Sequence, residues 1–326
     1  MSADQAGAAP SSASQAGDEA PRAPTLAHRA EFAAVRTAVR LLGSLGWQRA
    51  GDVGARLGAL AYRPLGVRRG VVERQIAAAF PDRSRAEVLR LARAAYEHLG
   101  RASIEAAVLP SMGPGRVLEL FEEPEGWEHV ERAMAQGRGL IVVTGHLGNW
   151  ELGGSYFAAR GIPIDAIVRR MGNPLFDRYI TETRSRLGMT VVPDSVAARR
   201  TPRALREGRA VAFLADQGVL GLASTFVPFF GRPAKTPRGP AVFALRLGVP
   251  VVFASPVRQP SGKYRFIIEP VPVVPTGDRE RDIDTIVADY TATLERLVRR
   301  FPEQYFWHHR RWRRQPPDTP PELREP

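Results

Sequence analysis

Cysteine is absent from the 326 residues. That excludes disulfides, thiolate metal sites and a cysteine nucleophile, and it is compatible with a reducing compartment. Long apolar runs are absent as well. No stretch approaches the roughly 18 consecutive apolar residues of a spanning helix, so a chain of this kind that works at a membrane is expected to lie on it. Histidine is scarce, at six, and acidic residues are outnumbered, 34 against 46 Lys and Arg, for a net charge of +12. Such a balance attracts something acidic, whether nucleic acid, anionic headgroups or an acidic protein, and charge alone does not choose among them.

What is present is a globular composition, 44% apolar, with enough chain for one large domain or two small ones. Residues 1–27 differ: "MSADQAGAAPSSASQAGDEAPRAPT" is rich in Ala, Ser and Pro, has no apolar signal-peptide core, and reads as a disordered tail. Residues 28–110 read as a helical N-terminal region. Phe32, Val35, Val39 and Leu42 share one face over 28–62, with Arg29, Arg36 and Arg40 around the rest. A basic amphipathic helix of this kind suits a bilayer interface or the side of its own domain. Ser84 and Glu87 then form a capping box ahead of an apolar stripe of Val88, Leu91, Ala92, Ala95 and Leu99.

After residue 135 the pattern becomes short apolar runs, "GLIVVT", "IDAIV", "MTVV", "AVAFLA", "PVVFA" and "YRFII", most of them separated by helix-length stretches. This alternation predicts an α/β fold, a central, mostly parallel mixed sheet flanked by helices, over residues 111–315. A last helix carries Ile283, Ile286, Val287, Tyr290, Leu294, Leu297, Val298 and Phe301 on its apolar face and ends at Pro302. Residues 316–326 read as a frayed, Pro-rich tail.

The chemistry concentrates in "TGHLGNWELGG", residues 144–154. His146 is placed in the turn after a buried strand and Glu151 in the first turn of the next helix, at the strand end where α/β sites form. If the turn folds the carboxylate back onto the imidazole, the pair can remove a proton from an alcohol. Histidine accepts a proton near neutral pH, and a carboxylate on its other nitrogen fixes the tautomer. No serine stands beside the pair, so direct attack by a substrate hydroxyl is favoured over a covalent enzyme intermediate. Spacing alone also allows Glu151 to be a capping carboxylate and His146 a turn residue.

Several ordered blocks go further. "HLGNWE" resembles the H-x₄-E signature of the bacterial lipid A biosynthesis acyltransferases, within the glycerolipid and lysophospholipid acyltransferase superfamily. "AIVRRMGNPLFDRYITETRSRLGMTVVP", "VAFLADQG", "FVPFFGRPAKTPRGPAVFALRLGVPVV" and "PEQYFWHHRRWRR" are similar to that family's later blocks, in order. "RQIAAAFPDRS" is similar to its lead-in, with Gln75 where Asn is often found. The resemblance runs over roughly residues 30–314.

The resemblance implies an O-acyltransferase that needs no cofactor or metal. It moves an acyl chain from an acyl carrier protein to a hydroxyl of a lipid A precursor, at the cytoplasmic face of the inner membrane, peripheral or monotopic. It implies His146 as general base and Glu151 as its orienting partner. Arg169 would bind acceptor phosphate or the oxyanion, Asp216 and Gln217 would shape the acceptor side, and Gly231 to Thr236 would border it. Arg169 and Arg170 are adjacent, and either could point inward. Asp216 ends a strand and could be a helix N-cap instead. Lys235 and Arg238 suit phosphate contacts or solvated surface. Arg310, Arg311, Arg313 and Arg314 interleave with Trp307 and Trp312, a pattern suited to a headgroup layer or, with less support, to single-stranded nucleic acid; no nucleic acid partner is expected. Close alternatives keep the reaction on another acceptor: a phospholipid, an amino-acid lipid or a phosphatidylinositol glycolipid. A non-enzymatic basic membrane- or nucleic-acid-binding protein is the rival class.

Overall fold

The computed structural model of the chain describes residues 23–169, 171–218 and 223–326, with Pro114 described in its backbone only. The expected disordered tail lies almost wholly outside them. The helical N-terminal stretch is four helices: α1 (Leu26–Gly43), α2 (Trp47–Tyr62), α3 (Arg69–Ala79) and α4 (Arg85–Val108). The helix expected over 28–62 breaks before Gly46, whose φ of +80° an L side chain rarely adopts. α1 buries no residue fully; Phe32 meets Phe176 and Tyr179 edge-on, and Val39 and Leu42 pack on the core. Ser84 caps α4 as expected, accepting from the Glu87 N–H while Glu87 accepts from the Ser84 N–H at 2.8 Å. α2 crosses α4 backbone to backbone through glycines. A Cβ on Gly58 would sit 2.0 Å from the Tyr96 carbonyl oxygen, and one on Gly100 2.2 Å from that of Gly54.

Two short helices, α5 (Pro114–Glu119) and α6 (Trp127–Met134), lead into the sheet. Its strands are β1 (Leu140–Thr144), β2 (Ile164–Val168), β3 (Met189–Pro193) and β4 (Ala210–Leu214). A separate hairpin follows, β5 (Ser224–Phe229) with β6 (Arg232–Pro237), before the sheet resumes at β7 (Val251–Arg258) and β8 (Tyr264–Val271). The sheet order is β3-β2-β4-β1-β7-β8, parallel except for the antiparallel β7–β8 pair. Helices α7 (Trp150–Ala159), α8 (Pro174–Arg186), α9 (Ala197–Arg206), α10 (Gly239–Leu247) and α11 (Arg279–Arg300) complete the α/β layers.

Side chains alternate across the strands. Ile141, Val143, Val211, Val251 and Phe253 join α10 and α11 on one face. Leu140, Val142, Ala210, Val252 and Ala254 join Trp127, Leu152, Tyr156 and Phe157 on the other. The residues expected on the apolar face of α11, from Ile283 to Val298, are buried there.

Two features depart from expectation. The hairpin was not anticipated. Its two-residue turn puts Phe230 at φ +51° and Gly231 at φ +71°, the left-handed pair that matches strand twist. Phe230 is held in this backbone by donating its N–H to Glu295 at 2.5 Å and by its ring meeting Phe80 edge-on and Trp307 at a tilt. The closing segment turns its indoles and one arginine inward: Trp307 and Trp312 are buried and Arg311 is 4% exposed, whereas Arg310 and Arg313 are exposed. Their indoles donate to the Pro302 and Phe229 carbonyls. Gln75 of α3 holds this segment, donating to the carbonyls of Trp307 and His309 and accepting from the Arg311 N–H. Residues beyond Gln315 pack back on the domain, with Arg310 clasping Glu325 at 2.6 Å.

His308 sits in this seal, its ring 4.2 Å from Tyr96 of α4 and both ring nitrogens without a partner among the described residues. Burial, and then Arg68, push it down to about 4.

Two outcomes follow from this packing. Gly58→Val should lower stability by about 2 kcal/mol or more by forcing α2 off α4, read as a lower urea midpoint at unchanged m. Between about pH 6.5 and 4 the unfolded chain binds a proton at His308 that the folded chain refuses, so stability falls as pH drops. This group alone should account for about 2 kcal/mol at pH 5. His308→Phe should flatten the dependence of Tm on pH between 7 and 5; an unchanged slope would refute the assignment.

Candidate active site

The chain leaves β1 at Thr144 and enters α7 at Trp150, and the turn between them is tied on three sides. Gly148 has φ +69°, and a Cβ there would lie 1.7 Å from the Pro256 carbonyl oxygen of β7. The Gly148 N–H donates to the Gln304 carbonyl, the Asn149 N–H to that of Pro256, and the Phe306 N–H to that of His146. Asn149 caps α7 by accepting from the Leu152 N–H at 3.2 Å.

Behind the turn stands α4. His98 Nε2 lies 3.3 Å from the Gly148 carbonyl oxygen. Burial outweighs that bond and lowers His98 to about 4, so it is neutral and donates from Nε2. Glu105, fully buried, accepts from Asn149 Nδ2 at 3.0 Å and from the Tyr264 hydroxyl. Burial raises its carboxyl, against these two bonds and the nearby Arg101 and Arg258.

His146 is brought to a carboxylate, but not to the expected one. Its Nδ1 is 2.7 Å from Asp216 Oδ1, and its backbone N–H donates to Asp216 Oδ2 at 2.9 Å. The register explains this. Thr144 pairs with Leu214, so the residues two beyond each strand end, 146 and 216, are neighbours. Glu151 is instead turned to α8, accepting from Arg184 Nε at 3.1 Å and from Nη2 at 2.6 and 2.8 Å. With Asn149 as the cap, Glu151 is the second residue of α7, and the helix carries its side chain away from the imidazole.

Asp216 is 3% exposed. Burial alone would raise its carboxyl. The His146 charge, the hydrogen bonds from His146 and the charge of Arg311 outweigh that and hold it at about 2. An ionised carboxylate can only accept, so Nδ1 carries a proton, and in the neutral imidazole Nε2 is the nitrogen with the lone pair. Gln217 stands 3.2 Å from Nδ1. Trp150 and Phe306 flank the imidazole, with ring centroids 4.8 and 5.8 Å away.

The other anticipated positions are spread more widely. Arg169 is exposed at the end of β2, and Arg170 lies outside the described residues. Thr236 is buried and accepts from Arg311 at 2.7 Å, which puts it behind Asp216 rather than at an open surface. Gly231 occupies the turn at the opposite end of the hairpin from Thr236, where it satisfies backbone geometry. Arg238 is paired with Glu280 at 2.7 Å and Asp284 at 3.3 Å.

Beside the dyad lies an apolar slot with about 600 Å³ of empty space, part of it open to solvent. Thr144, Trp150, Glu151, Arg184 and Leu214 line the end nearest the dyad; Phe157, Ile164 and Met189 line the deep end. Along its length the wall residues are small: Ala166, Ala212 and Ala254 from the sheet, and Gly153 and Gly154 from α7. It follows the length of β2, about 16 Å for a strand of this size.

The family profile described as bacterial lipid A biosynthesis acyltransferase matches residues 20–314. The chain is similar to the lipid A biosynthesis lauroyltransferase of Escherichia coli (strain K12), 30% identical over 270 residues, 82% of this chain and 86% of the relative. It is 29% identical over 267 residues to the lipid A biosynthesis palmitoleoyltransferase of the same strain, covering 81% and 85%. A phosphatidylinositol mannoside acyltransferase of Mycobacterium tuberculosis is 30% identical over 226 residues, 67% of this chain and 68% of the relative.

Proposed function

Because the chain belongs to the bacterial lipid A biosynthesis acyltransferase family, we propose that it moves a fatty acyl chain from an acyl carrier protein thioester to a hydroxyl of a lipid A precursor. His146 is the base and Asp216 its partner. The observation that carries this reading is an imidazole held through Nδ1 at 2.7 Å by a buried carboxylate, against a Trp150 that is also a wall of the apolar slot.

His146 Nε2 takes the hydroxyl proton as the acceptor oxygen attacks the thioester carbonyl. A C–O bond forms and the negative charge moves to the carbonyl oxygen. The N-terminal end of α7, with its positive partial charge, is oriented to stabilise that oxygen. Collapse breaks the C–S bond, and the departing thiolate takes the proton back from Nε2. Asp216 stabilises the imidazolium between these steps, helped by the faces of Trp150 and Phe306. The orienting role first assigned to Glu151 therefore passes to Asp216, and Glu151 with Arg184 flanks the slot entrance.

The slot takes the acyl chain, each buried methylene contributing about 0.8 kcal/mol. Arg169, exposed at the same sheet edge, is available to acceptor phosphate, and the +12 charge favours an acidic carrier. Leu41, Leu45, Leu57, Leu60, Leu65 and Val67 are exposed among Arg40, Arg49, Arg56, Arg63 and Arg68. Among the described residues no helix is long and apolar enough to cross a membrane, so we assign this patch to peripheral contact with the inner membrane. The likeness to a phosphatidylinositol mannoside acyltransferase supports a second reading with a mannosylated phosphatidylinositol as acceptor.

Mass spectrometry tests the activity. Incubated with an acyl carrier thioester and a tetra-acylated lipid A precursor, the protein should add one acyl mass. Product formed only from the mannosylated phosphatidylinositol would favour the second reading. His146→Ala should abolish transfer and Asp216→Asn should lower kcat by about 10²–10⁴, both with the fold intact; near-wild-type turnover in His146→Ala would remove the base assignment. Ala212→Phe, which fills the slot, should shift preference to shorter donor chains in a competition assay.

A further inference from the structure

Arg311 takes no part in the steps above, yet it is a buried cation. Its N–H groups go to neutral acceptors, Nη1 to the Lys235 carbonyl at 2.6 Å and Nη2 to Thr236 Oγ1 at 2.7 Å, while its buried Nε has no partner among the described residues. Its guanidinium lies over Phe229, 5.4 Å from the ring centroid. Gln75 fixes its backbone, and Tyr305 interacts with both Arg311 and Asp216. The Lys235 carbonyl that Arg311 holds packs on the turn bearing Asp216: a Cβ on Gly218, two residues after Asp216, would lie 2.9 Å from its oxygen, and the Arg311 charge helps to hold the Asp216 carboxyl down.

A fully buried carboxylate needs compensation in every state of the cycle. When His146 is an imidazolium, it supplies that compensation itself. When His146 is neutral and ready to accept a proton, another cation must. Without one, burial favours either a protonated Asp216, which no longer enforces the tautomer, or a persistently charged imidazole, which has no lone pair. We propose that Arg311 is a positioning residue of the reaction, a buried counter-charge that shares Asp216 with His146 and so keeps the imidazole free to act as a base. The proposal rests on His146 being that base.

The surroundings of Asp216 and His146 contain few other charges able to do this. The turn after β4 contributes Gln217, and α11 contributes the apolar Leu294 beside Gly145. The closing segment contributes Tyr305, His309, Arg311 and Arg314, the last with Nη1 3.4 Å from the Gly218 carbonyl oxygen and absent from the charges that act on Asp216. Burial holds His309 down at about 4, so it is neutral near pH 7. Lys235 of β6 meets Arg311 through its backbone carbonyl.

The test compares kcat/KM against pH with an NMR titration of the His146 imidazole, in wild type and in Arg311→Gln, Arg311→Met and Arg311→Lys. Methionine is included because a hydrophobe in place of a buried ion is often tolerated where a polar amide is not. Removing the cation favours the imidazolium, so the acid limb of the rate profile and the NMR transition should both rise by about one pH unit in the neutral variants. Arg311→Lys, which keeps the charge, should leave both at their wild-type positions despite weaker packing. A folded neutral variant with an unmoved NMR transition overturns the proposal whatever its turnover. A raised NMR transition with an unmoved rate limb leaves the coupling standing and overturns His146 as the base.

Discussion

Parallel pairing of β1 with β4 in one register, from Leu140 beside Ala210 to Thr144 beside Leu214, makes positions 146 and 216 neighbours before any side chain is considered. Asp216 then binds His146 twice, through the backbone N–H and through Nδ1, so the carboxylate fixes both where the turn lies and which way the ring faces. A one-residue slip between these strands would exchange the sheet faces and separate the pair together. Stability of the central sheet and alignment of the base therefore rest on the same backbone hydrogen bonds.

Around that pair the molecule supplies two contrasting environments. On one side small residues on β2, β4, β7 and α7 leave space along the sheet. On the other, a polar layer is built around Arg311, which binds Thr236 and Gln75, with Tyr305 between it and Asp216. The first suits a chain of methylenes and the second a charge that must persist in a dry interior. The arginine excess visible in the composition thus has more than one use: some of it is surface charge, while Arg311 is structural electrostatics.

Short continuous apolar runs and the long stripe of α11 made the layers legible in the sequence, because a strand covered on both faces is apolar throughout and a helix covered on one face carries a repeat. The Ser84 capping box was equally plain, its two partners being three residues apart. The partner of His146 was harder. Glu151 is near in sequence and Asp216 is 70 residues away; only strand order decides between them, and strand order is a long-range property. The strand-terminal position of Asp216 was the available signal. Arg184 carried none. The burial of Trp307, Trp312 and Arg311 was not legible, because alternating Arg and Trp looks the same whether the indoles meet solvent or the interior, and contacts to Gln75 and Phe229 appear only in three dimensions.

The turn that bears His146 is completed by residues near the end of the chain: the carbonyl of Gln304 and the N–H of Phe306 both bind it. Synthesis proceeds from the other end, and α4, β1 and β4 are made long before these groups exist. A nascent polypeptide that still lacks Gln304 and Phe306 has an unfinished turn, so the site is completed only once the chain has been made through residue 306.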